Sequence, residues 1–123
     1  MLMNKKILIV DDDPRNIFAL KLTLKARGYQ IESSTMAQEA IEVLNKDNHF
    51  DVVLMDMMMP EMDGYEAIKM IKNTPSISNI PVIAVTAQAM PEDRQKCLDA
   101  GAADYVSKPI DVDLLMNAIE KLS

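Results

Sequence analysis

The stretch Ile-Leu-Ile-Val-Asp-Asp-Asp-Pro at residues 7–14 joins four apolar residues directly to three carboxylates and a proline. A short, continuous apolar run rich in β-branched residues is typical of a strand covered on both faces of a parallel sheet. Two further runs have this character, Val-Val-Leu-Met at 52–55 and Val-Ile-Ala-Val at 82–85. Residues 29–34 alternate instead, which favours an edge strand, and residues 105–106 are a weaker fifth candidate.

Helix signals lie between these strand candidates. Asp13-Pro14 predicts an N-cap followed by proline at the first helical position, and Gly28 is expected to end that helix. Two capping boxes, Thr35 with Gln38 and Asp63 with Glu66, predict the starts of the second and third helices. Pro91 and Gly101 predict the start and the end of the fourth helix, and Asp111 predicts the N-cap of the fifth. The predicted buried faces are Ile17, Leu20 and Leu24; Ala40, Ile41 and Leu44; Ala67, Ile68 and Ile71; and Leu115, Ala118, Ile119 and Leu122. The alternation of five strands and five helices predicts an α/β fold, a doubly wound parallel sheet with right-handed crossovers and helices on both faces.

Composition limits the classes of function. The chain has 123 residues, 13 Lys plus Arg against 19 Asp plus Glu and a net charge of −6, which predicts one domain spanning residues 1–123 without a further output domain. Acidic balance argues against nucleic acid as a direct partner. No apolar run is long enough to cross a bilayer or to form a signal peptide, so we expect a cytoplasmic domain without membrane insertion. Cys97 and His49, each the only one of its type, exclude a disulfide framework and Cys- or multi-His metal sites.

Polar side chains follow four of the predicted strands. Asp11 and Asp12 come after the first strand, Asp56 after the third, Thr86 after the fourth and Lys108 after the fifth. In a parallel sheet the carboxyl ends of the strands meet at one rim, where ligands bind. Two unit charges ~5 Å apart repel by roughly 3 kcal/mol at an effective dielectric of ~20, so clustered carboxylates need a cation or an ammonium group. Oxygen ligands in an incomplete cage favour Mg²⁺.

A lone aspartate after a strand is often only the N-cap of the next helix, and this is the expected role of Asp13. The three consecutive aspartates leave a choice of register, and we take Asp11 and Asp12 as the site residues because they directly follow Val10.

The polar residues at the four strand ends and their neighbours resemble the response-regulator receiver domain of two-component signalling. The set consists of Asp11, Asp12, Asp56, Met59-Pro60, Asp63-Gly64, Thr86, Ala87, Lys108 and Pro109. The resemblance covers essentially the whole chain. It implies a flavodoxin-like fold with strand order 2-1-3-4-5. It also implies a phosphoacceptor signalling domain that takes a phosphoryl group from a partner's phosphohistidine and slowly autodephosphorylates. Such a domain promotes its own phosphorylation and dephosphorylation but is not a turnover enzyme.

The resemblance also implies the role of each residue. Asp56 would be the phosphoacceptor, with Lys108 and Thr86 contacting phosphoryl oxygens. Mg²⁺ would be bound directly by Asp12 and Asp56, through water by Asp11, and by the backbone carbonyl of Met58; Mn²⁺ is expected to substitute. The Lys108-Pro109 peptide would be cis and would direct the lysine into the crevice.

The expected switch involves Thr86 and Tyr105. After phosphorylation Thr86 would move toward Asp56, Tyr105 would enter the vacated space, and the surface at 87–107 would change. Taken alone, Tyr105 could equally be a half-buried packing residue. Met58 and Gln88 lie where the family tunes phosphoryl lifetime. We predict that these two positions set the phosphoryl lifetime in this chain. Unchanged decay in a Met58→Asn, Gln88→Glu double variant would contradict that role.

The implied partners are a sensor histidine kinase or a histidine phosphotransfer protein, and a downstream protein target. The latter would meet the face of the fourth helix, fifth strand and fifth helix. The domain is expected to be a monomer or weak dimer, either stand-alone or part of a larger kinase.

Three other functional classes are alternatives to a phosphoacceptor receiver domain. A haloacid-dehalogenase-like, Mg-dependent phosphatase with an aspartyl nucleophile needs a second acid two residues later, where this chain has Met58. A flavodoxin-like cofactor binder needs a phosphate-binding loop rich in Gly, Ser and Thr after the first strand, whereas this chain has Asp-Asp-Asp-Pro at residues 11–14. An unphosphorylated interaction module stays open as the third alternative.

Overall fold

The chain folds around one five-stranded parallel sheet. The computed structural model describes residues 5–47, 49–59, 64–87 and 90–122. The strands are β1 (Lys6–Val10), β2 (Gln30–Ser34), β3 (Val52–Asp56), β4 (Val82–Thr86) and β5 (Asp104–Ser107). Their order is β2-β1-β3-β4-β5 with every pair parallel, which confirms the α/β, doubly wound prediction and places the alternating segment at an edge.

Five helices cover the two faces of the sheet. They are α1 (Pro14–Ala26), α2 (Ala37–Lys46), α3 (Gly64–Lys72), α4 (Pro91–Ala100) and α5 (Val112–Leu122). Adjacent strand residues point to opposite faces, so Ile7 and Ile9 pack with α1 and α5 while Leu8 and Val10 pack with α2, α3 and α4. The predicted helix faces are buried, except that Leu122 is only half-buried.

Local chemistry determines most of the helix boundaries. The Asp13 side chain accepts from the backbone N–H of Arg15 at 2.9 Å, and Asp111 accepts from those of Asp113 and Leu114. Gly101 ends α4 with φ +118°, a conformation that side-chain-bearing residues rarely adopt. These boundaries agree with the sequence prediction.

The capping box at Thr35 is wrong. Helix α2 begins at Ala37, with Met36 at the N-cap and no capping hydrogen bond from its side chain. The Ser34 hydroxyl instead lies within hydrogen-bond distance of the Met36 carbonyl and of Glu39 in the first turn.

Some predicted features lie outside the described residues. They are Pro60, Asp63 with its capping box, and Gln88. Among the helices that the structure describes, none combines the length and apolar character needed to span a membrane.

Candidate functional site

Strand register brings the predicted site residues to one rim of the sheet. Val10, the residue before Asp11, is paired with Met55, the residue before Asp56. Asp56 is paired with Val85, and Thr86 with Ser107, the residue before Lys108. Four neighbouring strands therefore end at the same level, so their following side chains share one crevice.

Three carboxylates form a cluster in this crevice. Asp11, Asp12 and Asp56 each offer an oxygen, and these oxygens lie within 4.8 Å of one another. Asp11 and Asp56 are buried, whereas Asp12 is exposed. Burial raises the pKa of Asp11, and the Asp56 charge raises it further, against the lowering effects of a hydrogen bond from the Asp13 amide and of Lys108. The cluster is thus electrostatically costly, as the sequence predicted.

Lys108 supplies a positive charge to the same crevice. Its Nζ lies 3.5 Å from Oδ2 of Asp56 and 3.8 Å from Oδ2 of Asp11. The Lys108-Pro109 peptide is cis, as expected, and the backbone N–H of Lys108 donates to the Thr86 carbonyl at 2.8 Å. Lys108 is therefore anchored to β4 through its backbone while its side chain faces both buried carboxylates.

The segment after Asp56 is held against the acceptor. The backbone N–H of Met58 donates to Oδ1 of Asp56 at 3.0 Å. A Cβ at Gly64 would lie 2.7 Å from the Met57 Cα, so only glycine permits this approach of α3 to the loop. One carboxylate oxygen of Asp56 is thereby fixed by the backbone, and the other faces Lys108.

Thr86 and Tyr105 occupy the predicted switch positions at β4 and β5. Thr86 is buried at the end of β4. Tyr105 is half-buried, pairs with Ala84 and packs against the core layer that contains α4. Burial raises the pKa of the Tyr105 hydroxyl. The resting geometry thus fits both the packing role and the switch role of this tyrosine.

Sequence reasoning missed Asn16. Its side chain hydrogen-bonds to Asp11, and it lines a cavity of about 260 Å³ between α1 and the segment after β5, together with Lys108 and Pro109. The available signal was its position in the first turn of a helix that begins beside Asp11.

A second missed feature is the outer surface of α1. Phe18 is 64% and Leu22 58% exposed, one helical turn apart. Residues 14–27 also hold four of the 13 basic residues and none of the 19 acidic ones. We call this apolar pair and its flanking Arg15, Lys21 and Lys25 the α1 surface; it belongs to the helix that begins directly after the three aspartates.

The crevice fits a divalent cation. Three carboxylates against one ammonium leave a formal excess of two negative charges, and carboxylate oxygens are the ligands that Mg²⁺ prefers. Asp12 is accessible to solvent, so an ion with retained waters can reach the cluster.

Comparison with known proteins agrees with this geometry. Residues 7–120 match the family described as response regulator receiver domain. The polar-differentiation response regulator DivK of Brucella ovis is 36% identical over 118 residues, covering 96% of this chain and 95% of DivK. A probable cyclic di-GMP phosphodiesterase of Vibrio cholerae is 43% identical over 113 residues, covering 92% of this chain. This chain spans only 25% of that second relative's length.

A solved structure is similar over its whole length. The receiver domain of a sensor histidine kinase from Pseudomonas aeruginosa has a TM-score of 0.88 and 31% identity, covering 98% of each chain. Its structure has a magnesium ion coordinated in the active-site cleft. The strand order, the crevice and the match over residues 7–120 lead to one conclusion: this chain belongs to the response regulator receiver domain family of two-component signalling.

Proposed function

We propose that this receiver domain accepts a phosphoryl group on Asp56 from a phosphohistidine, changes its surface while phosphorylated and then loses phosphate by slow hydrolysis. The observation that carries the proposal is the position of Asp56, which is only 3% exposed yet lies 3.5 Å from the Lys108 ammonium within a carboxylate cluster. The domain promotes its own phosphorylation and dephosphorylation and is not a turnover enzyme.

The two oxygens of Asp56 have different roles in this proposal. Oδ1 accepts the Met58 N–H, so Oδ2, which faces Lys108, is the attacking oxygen. It forms a bond to phosphorus while the phosphorus–nitrogen bond of the donor breaks, and the imidazole leaves with the bonding electron pair and is protonated by solvent. Lys108 offsets the phosphoryl charge, and the Thr86 hydroxyl donates to a phosphoryl oxygen.

The carboxylate cluster is the proposed Mg²⁺ site. Asp12, Asp56 and the Met58 backbone carbonyl would bind the ion directly and Asp11 through water, and Mn²⁺ would substitute because it also accepts oxygen ligands. The bound ion would neutralise charge that otherwise repels the phosphoryl group. The magnesium in the Pseudomonas aeruginosa receiver domain supports this assignment.

Thr86 and Tyr105 are proposed to transmit the change. Thr86 is buried beside the crevice, and Tyr105 lies on the neighbouring strand with part of its side chain exposed. A shift of Thr86 toward phosphorylated Asp56 would favour the inward position of Tyr105. The surface of α4, β5 and α5 would then change and meet a downstream protein.

A sensor histidine kinase or a histidine phosphotransfer protein is the proposed donor. The buried position of Asp56 requires the donor to contact the rim of the crevice, and α1, which begins at that rim, carries the α1 surface on its outer side. Its exposed apolar pair and basic flanks favour a donor surface with apolar and acidic residues. We place this exchange in the cytoplasm, between proteins, with no membrane insertion or direct nucleic-acid contact, and with the domain as a monomer or weak dimer.

The experiment is intact-mass analysis after incubation with Mg²⁺ and acetyl phosphate as a small phosphodonor. The wild type should gain one phosphoryl group, Asp56→Ala none, and Lys108→Ala should gain it about 100-fold more slowly, the scale seen when one charge-stabilising group is removed. Lys121→Ala, on the far part of α5, is the matched control and should behave as wild type.

Two outcomes would contradict the proposal. Sustained phosphate release without a labelled protein would indicate the Mg-dependent phosphatase. No label and no release would indicate the unphosphorylated interaction module.

A further inference from the structure

The methionines at the end of β3 differ in their exposure. Met55, Met57 and Met59 are buried, whereas the Met58 side chain is 58% exposed. Buried methionines here fill the core layer below α3, where their flexible side chains pack well. Packing therefore accounts for those three residues but not for Met58.

Met58 is fixed at the phosphoacceptor. Its backbone nitrogen lies 3.0 Å from Oδ1 of Asp56, and its Cα is one bond, about 1.5 Å, beyond that nitrogen. Met58 is therefore an exposed residue whose backbone is held directly at the phosphoacceptor. Because Asp56 itself is buried, water that hydrolyses a phosphoryl group on it has to pass the residues around the carboxylate, and Met58 is an exposed one among them.

We propose that Met58 is an oxidation-sensitive regulatory site, and that its conversion to the sulfoxide by a peroxide shortens the lifetime of phosphorylated Asp56. The inference rests on the proposed function, since it needs a phosphoryl group on Asp56. It adds a second input to the same site, because an oxidant would end the signal without any change in the donor protein.

The chemical step is a two-electron oxygen transfer. The Met58 sulfur lone pair attacks one peroxide oxygen, the oxygen–oxygen bond breaks and a sulfur–oxygen bond forms. For hydrogen peroxide the other oxygen leaves as water. Sulfur is oxidised and peroxide reduced, and the product can be reversed by methionine sulfoxide reductases.

The new oxygen changes what the crevice offers to water. A thioether sulfur is only a weak hydrogen-bond acceptor, so Met58 does little to hold an attacking water. A sulfoxide is polar and its oxygen accepts hydrogen bonds, so the oxidised side chain can orient an attacking water molecule beside the phosphorus. One added neutral hydrogen bond corresponds to roughly 3- to 10-fold faster hydrolysis.

The test measures phosphoryl decay before and after mild hydrogen peroxide treatment of the folded protein. Asp56 is first phosphorylated with acetyl phosphate and Mg²⁺, and peptide mass analysis gives the oxidised fraction of each methionine. We expect Met58 to gain one oxygen atom, decay to accelerate roughly 3- to 10-fold, and both methionine sulfoxide reductases together to restore the original rate.

Met90 provides a matched control. It is also 58% exposed, and it precedes α4 rather than following the acceptor. Each variant is compared with itself before and after peroxide. The acceleration should persist in Met90→Leu and vanish in Met58→Leu.

Three results would overturn the inference: no oxidation of Met58 in folded protein, unchanged decay when Met58 is fully oxidised, or equal acceleration in Met58→Leu. Absence of a label on Asp56 before any peroxide is added would instead refute the proposed function, and this inference with it.

Discussion

Asp11 is the residue at which the electrostatic cost of the crevice is clearest. Burial is the main cause of its raised pKa, and the charge of Asp56 adds to it. A carboxyl group whose pKa is higher in the folded than in the unfolded protein favours folding when protonated. The free energy of unfolding therefore falls as pH rises from the ordinary aspartate range through the raised pKa of Asp11.

We expect Asp11→Asn to raise the Tm at pH 7 in the absence of divalent ions. The change removes a buried charge and its repulsion with Asp56, and ~1 kcal/mol corresponds to about 4 °C for a domain of this size. The gain should shrink as pH falls through the raised pKa toward 4. Mg²⁺ should raise the wild-type Tm by more than that of the variant, because ligand binding to the folded state stabilises it. Differential scanning calorimetry measures both effects.

Asp13→Asn is the control at the neighbouring position. Hydrogen bonding from the Arg15 backbone N–H lowers the pKa of Asp13, so its charged form favours folding and its neutralisation should not raise the Tm. A lower Tm for Asp11→Asn at pH 7 without metal would contradict the account of the cluster.

At the scale of elements, helix α1 begins two residues after Asp12 and carries the α1 surface, the proposed contact for the donor protein. A Phe18→Ser, Leu22→Ser double variant should lower the rate of phosphoryl transfer from a histidine phosphotransfer protein about 10-fold or more, because loss of the few residues that anchor an interface costs ~2 kcal/mol or more of binding. Phosphorylation by acetyl phosphate should be unchanged. Stopped-flow or radiolabel transfer assays measure the two rates.

Leu114→Ser, on α5, is the control for this variant, since Leu114 is 61% exposed and lines a cavity with residues of β5, an edge strand of the sheet. Transfer from the protein donor should proceed in it at the wild-type rate. If the α1 double variant loses both kinds of phosphorylation equally, the crevice has been damaged and the α1 surface is not a docking surface.

The sequence predicts elements best where one or two neighbouring residues determine the geometry. Asp13-Pro14 and Asp111 act on amides within three residues, so their helix starts follow from local chemistry. The Thr35 box fails because α2 starts later and its first turn contacts Ser34 across a bend, which residue spacing does not reveal. The α1 surface could not be predicted because exposure of Phe18 and Leu22 depends on how α1 is rotated against the sheet.

At the scale of the whole molecule, parallel topology explains why the site was predictable. Strands that end at one level place Asp11, Asp56, Thr86 and Lys108 at one rim, so the order of elements was enough to expect a shared crevice. The detailed contacts, such as Asn16 with Asp11 and the Met58 N–H with Asp56, depend on loop geometry. Sequence spacing alone does not fix that geometry.

Phosphorylation should change the molecule far from Asp56. Amide chemical shifts of fully phosphorylated wild type should differ from those of the free domain over residues 90–107, and these differences should be strongly reduced in fully phosphorylated Thr86→Ala. The reason is that the variant lacks the hydroxyl that moves toward the phosphoryl group. Thr74→Ala is the control, because Thr74 follows the C-terminal end of α3, at the edge of the sheet opposite the crevice. It should retain the wild-type pattern, and equal patterns in the wild type, Thr86→Ala and Thr74→Ala would contradict the switch.

Asp56 is the one among the three clustered carboxylates that is proposed to carry the phosphoryl group. Borohydride reduces an acyl phosphate to an alcohol, so it converts a phosphorylated aspartate to homoserine, which peptide mass analysis locates. After treatment with acetyl phosphate and Mg²⁺, homoserine should appear at position 56 and should be absent without Mg²⁺. Homoserine at position 11 or 12, or its formation at 56 without a divalent ion, would contradict the account.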